Sequence, residues 1–132
     1  ASEHGAAATA PKGDATMFAT ANGNGIHAKT AQEWYAQSLS INKSLYKNYK
    51  TLTRREIRVA DVMGMRFDFT YVDPWAFKKT RVVKGWRVIL VQPEAIHEFI
   101  FKASGRDYRQ YTDAAEKTLA TMKPRVFTTI LK

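Results

Sequence analysis

Between Met65 and Tyr71 the side chains alternate without a break: Met65, Phe67, Phe69 and Tyr71 on one parity, Arg66, Asp68 and Thr70 on the other. A period of two puts the aromatic set on one face of a β-strand, a pattern that a helix scatters around its axis. Such a strand needs cover on its apolar face, so this segment implies a sheet with a core on that side. We expect a central strand whose odd-numbered side chains enter the core. Asp68, between two core aromatics, should face away from them and pair with a cation on a neighbouring strand. Asp73-Pro74 ends the strand, because proline cannot donate to a ladder.

The rest of the chain reads around that strand. Ala15 to Ala21 is a short strand, followed by a sharp turn at Asn22-Gly23-Asn24-Gly25, where Asn and Gly tolerate positive φ. Thr30-Ala31-Gln32-Glu33 is a capping box. Behind it Trp34, Ser38, Ile41 and Leu45 recur at helical spacing, with Tyr35, Leu39 and Tyr46 alongside, which predicts an amphipathic helix over 31–47. Leu52 to Val59 reads as a strand carrying Arg54, Arg55 and Arg58, with a turn from Asp61 to Gly64. Beyond Pro74 a hairpin is expected, with strands at 77–83 and 86–92 joined through Lys84-Gly85. Gln92-Pro93-Glu94 turns the chain into a further strand, Ile96 to Ala103. A second helix runs from about Asp107 to Met122 with Tyr108, Tyr111, Ala115, Leu119 and Met122 on one face. Pro124 stops it, and Arg125 to Leu131 is a short β-rich tail.

This order predicts an α+β fold: an antiparallel β-meander packed by an N-terminal and a C-terminal helix, an α/β/α sandwich. With 132 residues, 7 Phe, 6 Tyr and 3 Trp, the chain has material for one core. Residues 1–14 contain no apolar side chain larger than alanine and read as a flexible arm, leaving 15–132 as a single domain. The longest apolar run, Val88-Ile89-Leu90-Val91, is strand-sized and far from the ~20 residues of a membrane span, which predicts a soluble domain.

The chain has no cysteine. That excludes disulfides, thiolate nucleophiles and iron–sulfur clusters, and removes most structural zinc designs. The histidines are dispersed: His4 in the arm, His27 before the first helix, His97 on a strand beside Glu98, which points to the opposite face. None has a second ligand at helical metal spacing. Gly23-Asn24-Gly25 lacks the lysine and hydroxyl residue of a phosphate loop, so a turn is the better reading. No catalytic residues, metal site or cofactor are expected, and the chain reads as a non-enzyme.

Charge is the informative bulk property: 21 Lys and Arg against 12 Asp and Glu, a net charge of +9. A partner with a negative surface is implied. Lys78, Lys79, Arg81, Lys84 and Arg87 put five cations into ten residues, and Arg54, Arg55 and Arg58 form a second cluster upstream. Together they form a candidate partner-binding face beside Trp75, Phe77 and Trp86, suited to an acidic protein surface with aromatic anchors or to single-stranded nucleic acid. A solvated edge that discourages strand-to-strand aggregation would have the same composition.

One series of segments points to a family. A capped helix from Thr30 leads into Tyr46-Lys47-Asn48-Tyr49-Lys50-Thr51-Leu52, a strand, a turn at Gly64, and the run Arg66 to Pro74. A basic hairpin follows, then a strand ending Phe101-Lys102-Ala103 and a closing helix reaching Thr121-Met122-Lys123-Pro124. This pattern resembles the PsbP-like superfamily, which includes the extrinsic PsbP subunit of photosystem II and related small bacterial lipoproteins. That family places two or more strands before its first helix, whereas only residues 15–21 read as one here. The resemblance implies a non-catalytic accessory subunit, peripheral to a membrane and docked on a membrane-associated complex such as a photosynthetic one. The Ala1-Ser2 start would suit cleavage of a targeting peptide, with the thylakoid lumen or periplasm as destination and the mitochondrion as the alternative. Two other readings stay open from the residues themselves: a nucleic-acid-associated protein such as an organellar ribosome subunit, and a small-ligand-binding cone-like α+β domain. The last needs a polar cluster inside the fold, and sequence proximity gathers none.

Overall fold

A computed structural model of the chain describes residues 4–9, 15–25, 28–73 and 81–121. The order is β1 (His4–Thr9), β2 (Ala15–Gly23), α1 (Ala31–Leu45), β3 (Lys47–Val59), β4 (Val62–Asp73), β5 (Arg81–Val91), β6 (Ala95–Ser104) and α2 (Tyr108–Ala120). The six strands form one sheet in the order β1-β2-β6-β5-β4-β3, every pairing antiparallel. From β3 to β6 the chain is the expected meander. Getting from β2 to the far edge at β3 means crossing four interstrand spacings, roughly 19 Å. The 15 residues of α1 cover about 22 Å at helical rise, so the helix is the crossing.

The two helices cover opposite faces, and the parity of β5 sorts the cores. Trp86, Val88 and Leu90 join Phe99, Phe101, Ala115 and Leu119 under α2. Ile89 joins Tyr35 of α1 with Phe67 and Ile96, and Val83 joins Tyr49, Phe69 and Tyr71. Each odd-numbered aromatic of β4 is buried as expected. Asp68 does turn away from them, but its cation is Arg66, two residues along its own strand, at 2.9 Å. Arg66 in turn lies 4.6 Å above the Trp86 ring and reaches Glu116 on α2 at 2.8 Å. Burial alone lowers the pKa of this guanidinium, and the bonds to Asp68 and Glu116 outweigh burial and raise it.

Four expectations are corrected. No hairpin turn lies at Lys84-Gly85: β5 runs through both residues. A Cβ on Gly85 would lie 2.2 Å from the Phe101 carbonyl oxygen and 2.8 Å from the Phe69 ring, so this glycine permits close approach instead of a reversal. Gly64 likewise sits within β4 against Ile89, and the reversal is at Ala60-Asp61, with Ala60 at a φ of 52°. Residues 4–9, assigned to an arm, pair along β2 from His4–Ala21 to Thr9–Thr16. Strand pairing is made by backbone groups, which composition does not count. Finally, the stripe of α1 is rotated: Ala31 and Tyr35 are buried, whereas Ile41 and Leu45 are 58% and 60% exposed.

The capping box forms with one change. The Glu33 amide donates to Thr30 Oγ1 at 3.1 Å, while the Glu33 carboxylate accepts from Lys29 N at 3.0 Å. At the start of α1, Asn24 acts through hydrogen bonds and has no positive φ. Its Nδ2 donates to the carbonyls of Ala28 and Gln92, and its Oδ1 accepts from Ala28 N. Met122 and the β-rich tail from 125 to 131 lie outside the described residues, as does His27.

Candidate functional site

The proposed basic face is taken apart by the central position of β5. Trp75, Phe77, Lys78 and Lys79 lie outside the described residues. Arg81 opens β5 in register with Asp73. Lys84 is exposed with its Nζ 4.6 Å above the Tyr108 ring, on the α2 side. Trp86 has no exposed surface. It packs between Phe99 and Phe101, and its indole N–H donates to Thr112 Oγ1 at 3.2 Å. It is a core residue and no partner's anchor. Arg87 points to the other face and is buried, its Nη2 2.9 Å from Glu98 Oε2 and its Nη1 3.1 Å from Ser38 Oγ. A cation on a strand flanked on both sides is drawn inward with its neighbours and needs a carboxylate, which here comes from β6.

The exposed cations gather instead on β3, at the end of the sheet. Lys47, Lys50, Arg54, Arg55 and Arg58 are all exposed, with Glu56 the one acid in the strand. Because β4 lies between β3 and β5, Arg54, Arg55 and Arg58 do not merge with Lys84 into one patch. Arg54 lies 5.9 Å over the Tyr35 ring, while Arg55 and Arg58 border a hollow of about 410 Å³ with Arg66 and Glu116 near the end of α2. The register of β3 on β4 shifts twice, between Lys47 and Lys50 and between Thr51 and Thr53. Asn48 absorbs the first shift at a φ of 56°, a conformation asparagine tolerates.

Sequence reading missed a polar cluster on the α1 side. Ser38 and Asn42 of α1, Tyr49 of β3, Arg87 of β5 and Lys102 of β6 converge on a cleft of about 220 Å³ beside Tyr46, Phe69 and Tyr71. Tyr46 and Tyr71 lie 4.2 Å apart, and Tyr49, Phe69 and Tyr71 form a triangle with centroids 5.5–6.1 Å apart. Lys102 Nζ is 5.7 Å and 5.9 Å from the Tyr46 and Tyr71 rings. Glu98 holds the inner wall: one oxygen takes Arg87 and the other accepts from Trp34 Nε1. Among the described residues the Tyr49 hydroxyl and Arg87 Nε are buried without a well-formed hydrogen bond, although Tyr35 and Arg87 lie close enough to the hydroxyl to act on it. Burial first, and then the neighbouring Tyr35 hydroxyl, push the Tyr49 phenol well above its usual range, with Arg87 opposing. The contributing residues come from four elements, so no local motif marked them.

His97 and Glu98 do face opposite ways. His97 is buried with Nε2 3.0 Å from Gln92 Oε1, and burial lowers its pKa. Among the described residues no group of three His, Asp or Glu side chains is placed to hold a metal ion, and no helix is long and apolar enough to cross a membrane.

Fold and site together describe an antiparallel α+β sandwich with a basic edge strand and an aromatic cleft. No family model and no curated protein matches the sequence. Among solved structures the chain is similar to PA94 from Pseudomonas aeruginosa, a protein of unknown function proposed to be a regulator. The TM-score is 0.71 at 14% identity, covering 93% of this chain and 83% of that one. At that identity the likeness is one of fold alone.

Proposed function

We propose that the protein is a non-catalytic accessory subunit that docks through the basic edge strand β3 onto an acidic segment of a larger protein complex. The observation that carries this reading is the set of five exposed cations on a strand whose outer side pairs with no other described strand. Cations and bulges on an edge deter uncharged strands from adding to it. An acidic segment is the one class of strand that such an edge attracts, by long-range steering and by charge-assisted contacts at close range. The resemblance to the PsbP-like superfamily supports the same kind of role at a membrane-associated complex, and β1 and β2 supply the two strands which that family places before its first helix. The nucleic-acid reading is weaker, because Trp86 lies in the core and offers no stacking surface.

The test is titration of ¹⁵N-labelled protein with an Asp/Glu-rich twelve-residue peptide, beside a poly-uridine oligonucleotide of equal charge. Docking predicts amide shifts confined to β3 that are lost in Arg54→Glu/Arg55→Glu/Arg58→Glu. Tighter, stacking-type binding of the oligonucleotide would favour the nucleic-acid reading. Peptide binding unchanged by the triple reversal would remove β3 as the docking edge.

A further inference from the structure

We propose that the hollow beside β3 is an anchor pocket for one aliphatic side chain of the docked acidic segment, whose charges and anchor therefore follow a fixed order. The inference rests on docking at β3 and adds the side chains that the partner must present there.

Parity sorts β3 into two faces. Arg54 pairs with Phe67 and Arg55 with Arg66 across the ladder, and residues paired in this way share a face. Phe67 packs with Tyr35 of α1, whereas Arg66 reaches Glu116 of α2. Arg54 and Glu56 thus take the α1 side, and Arg55, Ile57 and Val59 the α2 side. Arg58 has the parity of Arg54 and also borders the hollow.

On the α2 side, Ile57 and Val59 line the hollow of about 410 Å³ together with Leu119 and Ala120 from the end of α2. These four side chains are apolar, so they favour an apolar group between them. The border is cationic. Arg55 and Arg58 lie on it and are exposed. Arg66, directly across from Arg55, already holds the carboxylates of Asp68 at 2.9 Å and Glu116 at 2.8 Å. Among the described residues neither Arg55 nor Arg58 has an ion pair.

An apolar interior with a cationic border calls for an apolar group joined to an anion. A strand added to β3 supplies both from one side of its backbone, because alternate side chains face α2. The register then fixes their order. Every strand pair in the sheet is antiparallel. A partner strand that does the same passes Arg58, Ile57, Glu56, Arg55 and Arg54 in its own N-to-C direction. It therefore reads acid, aliphatic, neutral, acid, acid. The neutral position follows from Glu56, which repels a carboxylate set directly opposite.

The experiment is calorimetric titration of the full chain with a peptide carrying Asp-Leu-Thr-Glu-Asp between neutral flanks. One control peptide has alanine for leucine, and a second reads Asp-Thr-Leu-Glu-Asp. The exchange keeps the composition and moves leucine to the α1 face, and a slip of one residue to bring it back sets a glutamate against Glu56. The matched peptide should bind about tenfold more tightly than either control, within what burial of one leucine supplies. Ala120→Phe fills the hollow from an exposed position of α2. It should cancel the advantage of leucine and leave the affinity of the alanine peptide unchanged.

Equal binding of the three peptides, all of it lost in Arg54→Glu/Arg55→Glu/Arg58→Glu, would overturn the anchor and leave docking at β3 standing. No binding of any peptide at millimolar concentration would overturn both. An advantage for leucine that survives Ala120→Phe would put the anchor elsewhere and overturn the inference. So would octanoate binding as tightly as the matched peptide, which would make the hollow a site for a free amphiphile. A chain that sediments as a dimer, and as a monomer with Ala120→Phe, would give the hollow to a second copy and overturn it as well.

Discussion

Tyr35 of α1 and Phe67 of β4 stack face to face, their ring centroids 3.8 Å apart and their planes 3° from parallel. Neither has exposed surface, and the Tyr35 hydroxyl shares a hydrogen bond with Thr51 Oγ1 on β3. The pair therefore pins the crossing helix to two strands at once. Phe67→Ala removes a fully buried ring from beneath Tyr35, which typically costs about 3–5 kcal/mol. The midpoint of urea unfolding should fall accordingly, with the slope unchanged. A shift too small to resolve would mean that α1 does not rest on this pair.

Gly85 separates two readings of the same residue. A turn glycine tolerates alanine at modest cost, whereas here an added Cβ meets the Phe101 carbonyl at 2.2 Å, where backbone cannot yield easily. Overpacking of a filled core typically costs about 1–3 kcal/mol. Gly85→Ala should therefore destabilise the protein by at least that much in chemical denaturation, whereas Gly25→Ala, with nothing within 4 Å of its added Cβ, should be nearly silent. Equal effects at the two positions would argue for the hairpin.

What was legible in the sequence was local. The alternation of Met65 to Tyr71 and the capping of α1 at Thr30 are set by neighbours along the chain, and both appear as expected. Gly85 is ambiguous in the sequence because glycine marks either a turn or a close approach, and only the flanking strands decide which. The burial of Trp86 and Arg87 is not legible in composition, which cannot place β5 between β4 and β6, where both parities are covered. The stripe on α1 was ambiguous because Ile41 and Leu45 extend one apolar row while Tyr35 and Leu39 begin another. The cleft was invisible for a different reason: Ser38, Tyr49, Arg87 and Lys102 become neighbours only once the sheet order is known.

The Arg87–Glu98 pair is the strongest case of a sequence charge turned into a structural one. Both residues are buried, and Glu98 keeps Trp34 as its second partner. Arg87→Met leaves a carboxylate buried without its cation, a change that typically costs about 3–5 kcal/mol. Arg87→Met/Glu98→Gln removes that orphaned charge and should recover a large part of the loss, read as a coupling energy in a double-mutant cycle. Lys84→Met, at an exposed position of the same strand on the opposite face, should stay within about 0.5 kcal/mol. If the double variant is no more stable than Arg87→Met, the pair is not what holds β5 to β6 on this face.

His97 gives the fold an acid-sensitive point. Its ring is buried on β6 beside Gln92, and burial pushes its pKa below the usual value of 6.5. Well above pH 6.5 neither the folded nor the unfolded chain carries a proton on this ring, and His97 adds no slope. As pH falls through 6.5 the unfolded chain takes up a proton that the folded chain resists, so the unfolded state binds more protons and stability declines with acid. The decline ends once pH passes the lowered folded pKa, where both states are protonated. One such proton contributes at most about 1.4 kcal/mol per pH unit. His97→Gln cannot titrate, so stability measured by urea unfolding from pH 7.5 to 5 should fall less steeply for the variant than for the wild type. Asp and Glu contribute equally to both curves, and their difference isolates the ring. Parallel curves would mean that His97 titrates alike in the folded and unfolded chain and is not buried beside Gln92.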